Sequence, residues 1–104
     1  MECAYYRESL CRSCTSIETP YSAQLAAKQA DTRRLLAAYP HLTWLEPVAS
    51  DEAHFRNKAK LVVGGSAQNP SLGIVDYRSG RATDLSECPL YIEPIERAIP
   101  VLHE

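Results

Sequence analysis

Apolar residues recur at helical spacing in two stretches of the chain and alternate with polar ones in others. The first helical stretch runs from about Ala23 to Ala38, with Leu25, Thr32, Leu35, Leu36 and Tyr39 marking one face as the core side. It is rich in alanine, leucine, lysine and glutamine, all good helix formers. Pro20 breaks the backbone before it, Ser22 can cap it, and Pro40 stops it. His41 to Val48 reads as a short strand or extended link, with Leu42, Trp44 and the chain near Val48 facing inward, and Ala49 to His54 as a polar loop. Trp44 reads as a core or edge aromatic. The clearest strand is Phe55 to Gly64, where Phe55, Asn57, Ala59, Leu61 and Val63 point one way and Arg56, Lys58 and Lys60 the other. Gly65 to Ser71 makes a turn, Leu72 to Tyr77 a second strand, Arg78-Ser79-Gly80 another turn, and Arg81 to Leu85 a third strand. In the tail, Ile95, Ile99 and Leu102 return to helical spacing, with Ile92 one step earlier; Pro94 suits a first turn and Pro100 should kink or shorten the helix. The expected fold class is therefore α+β: a small antiparallel meander, a long helix in the N-terminal half and a C-terminal helix.

The chain has 104 residues, which supports one domain over residues 1–104 and burial of roughly 65% of the surface an unfolded chain exposes. A core that modest would gain from a staple. The net charge of −2 rules out a general polycation, so any nucleic-acid contact must come from local basic patches. No apolar run approaches membrane-spanning length, and no membrane partner is expected. No Walker lysine and no G-x-G-x-x-G follow Gly64-Gly65, so that pair is not a phosphate loop.

Four cysteines change the picture. Cys3, Cys11 and Cys14 crowd into the first fourteen residues, and Cys88 stands far downstream in Glu87-Cys88-Pro89. Cys11-Arg12-Ser13-Cys14 is a C-x2-C pair, a spacing that lets a tight loop aim two thiolates at one metal site. The loop leaving the third strand delivers Cys88. Four thiolates suit tetrahedral zinc or an iron–sulfur cluster, because soft sulfur ligands select those metals. Cys88-Pro89 echoes the Cys-Pro that ends many cluster-binding runs. No second C-x2-C or His-x3-His accompanies the pair, which weighs against ordinary zinc fingers. A disulfide framework is the competing view, and it lacks an apolar signal segment and cysteine density. The four cysteines are taken as ligands of one centre that staples the fold.

These residues, read with others in order along the chain, resemble a known family. They are Met1-Glu2-Cys3-Ala4-Tyr5-Tyr6, Cys11-Arg12-Ser13-Cys14, Gln24-Leu25-Ala26-Ala27-Lys28, Phe55-Arg56-Asn57-Lys58-Ala59-Lys60, Leu72-Gly73-Ile74, and Asp84-Leu85 through Cys88-Pro89-Leu90-Tyr91. Together they resemble the N-terminal part of the bacterial 23S rRNA (uracil-C5)-methyltransferases, in the shorter type that lacks an extra RNA-binding domain before its cysteines. The resemblance implies a [4Fe-4S] cluster on Cys3, Cys11, Cys14 and Cys88, with zinc or an empty site as the alternative in a purified fragment. It also implies ribosomal RNA as partner, a cytoplasmic location, and a methyltransferase domain beyond residue 104. S-adenosylmethionine would belong to that missing domain. No catalytic residue is assigned in this stretch, which alone is expected to be inert.

The cations of Arg56, Lys58 and Lys60 would form a row about 13 Å long on one strand face, able to follow a phosphate backbone. From the residues alone, a solvent-facing edge strand guarded by lysine explains the row equally well. The resemblance tips it toward RNA. Arg33-Arg34 reads as a solvated helix surface. His41, His54 and His103 form no cluster in sequence, and each reads as a lone surface histidine. Two rival functions remain: a zinc-stapled RNA- or protein-binding module, and a small iron–sulfur electron carrier.

Overall fold

The computed structural model describes residues 1–104, and the elements run α1 (Ala4–Arg7), α2 (Tyr21–Leu35), β1 (Val62–Ser66), β2 (Asn69–Asp76), β3 (Arg81–Asp84) and α3 (Glu93–Leu102). The three strands form one antiparallel sheet in the order β1-β2-β3, so the α+β class and the meander are both present. The chain divides into two compact units, one of residues 1–14 with 51–104 and the other of residues 15–50.

In the first unit the core is built from Leu72 of β2, Tyr91 and Ile99 of α3, with Leu85 and Leu90 also buried. Ala59, Leu61, Cys88 and Ile95 pack against it. Gly73 sits at the centre of the sheet because β3 passes too close for a side chain: a Cβ there would meet the Thr83 carbonyl and the Leu85 N–H. Ile95 and Ile99 lie one turn apart on α3, as the spacing predicts, but Leu102 is exposed. Pro100 does not shorten α3. It lies in the last turn, where its missing N–H forfeits one helical bond, and the helix continues to Leu102. Truncating Ile99 to alanine empties the centre of this small core. Ile99→Ala is expected to cost about 2–4 kcal/mol, read as a lower urea midpoint at unchanged slope.

The strand expected over Phe55 to Gly64 is not formed as such. Regular pairing begins only at Val62 and runs to Ser66, and the turn that follows shrinks to Ala67 and Gln68. Before it, residue 56 alone makes a bridge, parallel to Tyr91. Phe55 is exposed rather than inward. Asn57 and Val63, also expected inward, are exposed, so the alternation survives only around Ala59 and Leu61, which are half-buried while Arg56, Lys58 and Lys60 are exposed. Period-two patterning reports which side is covered, and coverage here comes from the core cluster rather than from sheet pairing.

The second unit holds α2 and an irregular arm. The helix starts two residues earlier and ends three residues sooner than the pattern suggests. Its N-cap is Pro20, not Ser22, and no side chain caps it. Gln24 instead reaches back, its Nε2 donating to the Ser16 and Thr19 carbonyls at 2.9 and 2.8 Å. Arg33 and Arg34 fall in the last turn, where cations complement the helix dipole. The expected core face is open: Leu35, Leu36 and Tyr39 are exposed. Leu42, Trp44 and Val48 are exposed as well, in a segment that forms no strand. Within the unit, one helix and an arm offer no second layer to cover that face. Trp44 is covered on one side by Arg33, whose guanidinium lies 5.3 Å from the ring centroid.

Candidate metal centre

The N-terminal stretch folds into a compact hook. After Cys3 the chain makes the single turn α1, then reverses at Ser9, which adopts a left-handed conformation with φ 59°. The Tyr5 carbonyl fixes the reversal by accepting from both Leu10 N–H and Cys11 N–H, at 2.8 and 3.1 Å. Arg12, inside the C-x2-C loop, donates from Nη2 to Ser9 Oγ at 2.7 Å and lies 4.3 Å from the centroid of the Tyr6 ring. The loop between Cys11 and Cys14 is therefore held by its own arginine. The short helix α1 had no signal in the hydrophobic pattern, because four residues are too few to show a period.

Cys88 reaches the same place from β3. Its N–H donates to the Leu85 carbonyl at 3.1 Å, and its own carbonyl accepts from Tyr91 N–H at 3.2 Å, so the residue sits in a tight turn. Tyr5 crosses to this turn: its hydroxyl accepts from Glu87 N–H at 3.1 Å. All four cysteines line one pocket, together with Met1, Tyr5, Tyr6, Leu85, Pro89 and Leu90. None of the four is in a disulfide. No three histidine, cysteine or acidic side chains come together as a ready-made site for a single metal ion. The four thiols thus line one shared pocket.

The electrostatics of the pocket are unfavourable to bare thiolates. Burial pushes the Cys14 thiol up, and the neighbouring Cys88, Cys11 and Cys3 push it further, while Arg56 opposes them. Burial also raises Cys88, against a hydrogen bond from the Leu90 backbone N–H and the charge of Arg56, with Cys3 and Cys11 adding to the rise. Tyr91 is pushed up to about 12, first by burial and then by Cys88. Burial raises the Tyr5 hydroxyl as well. A bound cation would offset these effects, since metal binding favours the deprotonated thiol.

Two of the three histidines have partners that the sequence did not reveal. His54, itself left-handed at φ 53°, has Nδ1 3.0 Å from Glu96 Oε1 and 3.1 Å from the Tyr91 carbonyl. This fastens the segment before Arg56 to α3. His103 Nε2 lies 2.9 Å from Ser86 Oγ and 3.3 Å from Asp84 Oδ1. Serine and aspartate meet the same ring nitrogen, so the imidazole cannot relay a proton between them, and the group is a latch between α3 and the Cys88 loop. Asp84 does most of the fastening: Oδ1 accepts from Leu72 N–H at 2.8 Å and Oδ2 from Ser86 N–H at 3.1 Å. Burial alone would raise its carboxyl, but the hydrogen bonds from Ser86 and Leu72, with His103 nearby, hold it below the usual carboxylate value. A depressed folded-state pKa contributes stability above the unfolded value and loses it as pH falls through the folded one. Asp84→Asn is therefore expected to cost about 1–2 kcal/mol at neutral pH. The gap to the parent should close in acid, below the ordinary carboxylate range, when urea midpoints are compared from pH 7 downward.

The resemblance drawn from the motifs is met by comparison with known proteins. The chain is similar to one class, the 23S rRNA (uracil-C5)-methyltransferases. The particular relatives are 23S rRNA (uracil(747)-C(5))-methyltransferases RlmC. That of Enterobacter sp. (strain 638) is 48% identical over 102 residues, covering 95% of this chain and 27% of the relative. That of Cronobacter sakazakii is 54% identical over 91 residues, and that of Serratia proteamaculans 50% over 91 residues; each match covers 88% of this chain and 24% of the relative. The chain thus spans about a quarter of the length of the curated relatives it matches. No family model matches it, and no solved structure does. No helix is long and apolar enough to cross a membrane.

Proposed function

We propose that this chain is the iron–sulfur and RNA-recognition part of an S-adenosylmethionine-dependent 23S rRNA uracil-C5 methyltransferase. Cys3, Cys11, Cys14 and Cys88 would hold a [4Fe-4S] cluster. The observation that carries this reading is the convergence of four cysteines, one of them far downstream in sequence, on one pocket. Four cysteine thiolates suit a zinc ion or a polynuclear iron–sulfur core alike, and the resemblance to the family supports the core. The cluster's contribution here is structural: bound, it ties the N-terminal hook to the loop leaving β3.

Arg56, Lys58 and Lys60 are the proposed phosphate contacts. All three are exposed, and none is paired with a carboxylate in the structure. They would neutralise the RNA backbone and supply position rather than base identity. Methyl transfer would reside in the remainder of the parent protein, which also holds the cofactor, in the cytoplasm. Anaerobic purification followed by a visible absorption spectrum and iron and sulfide counts tests the reading. Four irons and four sulfides per chain are expected. Stoichiometric zinc without sulfide would overturn it in favour of a zinc-stapled module.

A further inference from the structure

We propose that Tyr5 is the positioning residue of the four-cysteine pocket: it ties the N-terminal hook to the turn that carries Cys88, so that the donor set stands assembled before a metal binds. The inference rests on the reading of the four cysteines as one donor set, and it adds a role for a side chain that is not itself a ligand.

The contacts of this one residue make the case. Tyr5 lies two positions after Cys3, in α1, and lines the pocket. Its main-chain carbonyl accepts from Leu10 N–H at 2.8 Å and from Cys11 N–H at 3.1 Å, which closes the hook and sets where Cys11 stands. Its hydroxyl oxygen accepts from Glu87 N–H at 3.1 Å, on the residue directly before Cys88 and 82 positions away in the chain. The backbone end of Tyr5 thus shapes the hook, and the side-chain end grips the Cys88 turn. The other bonds of that turn run within the downstream segment. Cys88 N–H donates to the Leu85 carbonyl, Tyr91 N–H to the Cys88 carbonyl, and Ser86 N–H to Asp84 Oδ2. They fix the form of the turn, and the Tyr5 hydroxyl fixes its place against the hook. The Met1 amine also reaches downstream, to Glu52 Oε2 at 3.3 Å, but Glu52 is outside the turn.

Loop closure gives the consequence. Bringing together the ends of a segment of roughly 80 residues costs chain entropy. Where the fold already holds the ends, metal binding does not carry that cost, and the site is preorganised. Phenylalanine at position 5 keeps a ring against the pocket and takes away the acceptor of Glu87 N–H. It therefore separates the tie from the packing.

The probe is Co(II), titrated anaerobically into the reduced, metal-free 104-residue chain and read by its thiolate charge-transfer absorption. Tyr5→Phe should bind it about fivefold more weakly, the factor that one uncharged hydrogen bond contributes. Tyr77→Phe, which removes a hydroxyl from an exposed tyrosine just after β2, should match the parent. The titrations are made without denaturant, where circular dichroism confirms folded chains, so a general loss of stability does not move the affinity. An unchanged affinity in Tyr5→Phe, or an equal loss in Tyr77→Phe, overturns the proposal. Amide hydrogen exchange on the metal-free parent tests the tie without any variant. Glu87 N–H should exchange more slowly than an unbonded amide, and Tyr5→Phe should release it while Ser86 N–H, held by Asp84, stays protected. A Glu87 N–H that exchanges freely in the parent overturns the proposal even if Tyr5→Phe does not fold. A parent that takes up neither Co(II) nor iron and sulfide overturns the donor-set reading and this inference together. That result is distinct from a parent and a variant that bind equally well.

Discussion

Replacing Cys88 with serine is expected to abolish iron and sulfide retention and to lower the stability of the loaded protein by about 4 kcal/mol. The first effect follows from the donor set. On the proposed cluster reading, Cys88 would be the one ligand supplied by the downstream half, and without it the hook would offer three cysteines to a core that takes four. The second follows from topology. Linking Cys14 to Cys88 closes a loop of roughly 75 residues, and by analogy with a disulfide that constraint removes about 4 kcal/mol of unfolded-chain entropy at 25 °C. The non-covalent links across this closure are few; the Tyr5 hydroxyl on Glu87 N–H is the clearest. Thermal melts of loaded parent and Cys88→Ser, followed by circular dichroism, read the loss directly. In metal-free protein the gap should shrink to the smaller packing and desolvation cost of a hydroxyl where Cys88 rests against the core. A large gap that persists without metal would mean that Cys88 acts by packing against the core and not as a ligand.

The second large effect is on RNA. The triple variant Arg56→Ala, Lys58→Ala, Lys60→Ala is expected to bind an rRNA stem-loop on the order of tenfold or more weakly. Its log K against log salt plot should be shallower by about two to three units. Each cation that neutralises a phosphate releases roughly 0.7–0.9 of a counterion, so three lost contacts set the change in slope. Fluorescence anisotropy at several salt concentrations separates this from a folding defect, which would lower affinity without a matching change in slope. Unchanged affinity and slope would send the RNA elsewhere on the surface. Among the single variants, Lys58→Ala and Lys60→Ala should each flatten the slope by about one unit, since neither is bridged to the stretch after Cys88.

Much of the site was legible from residue types alone. A C-x2-C pair with a third cysteine nearby and a fourth before a proline suggests a donor set, and the fold brings all four cysteines to one pocket. The cation row was legible as exposure, because Ala59 and Leu61 alternate with Lys58 and Lys60. What the pattern overstated was pairing. The alternation expected over Phe55 to Gly64 is met by half-burial only at Ala59 and Leu61, and only Arg56 makes a bridge. The apolar face of α2 misled in another way. Leu35, Leu36 and Tyr39 have helical spacing, but spacing shows only that side chains share a face, and this one is exposed.

The sequence by itself determined the local elements and the available chemistry: two main helices, a three-strand meander, four free cysteines, and three cations outside the core. These depend on period, propensity and side-chain type, all of which are properties of neighbouring residues. Tertiary structure decided which distant groups meet. It brought Cys88 to the hook, turned His103 and Asp84 into a latch, and bonded Arg56 to the chain beyond Cys88. Such contacts are set by how the turn at Ser9, the close approach at Gly73 and the core around Ile99 steer separate segments together, and no single stretch of chain encodes them.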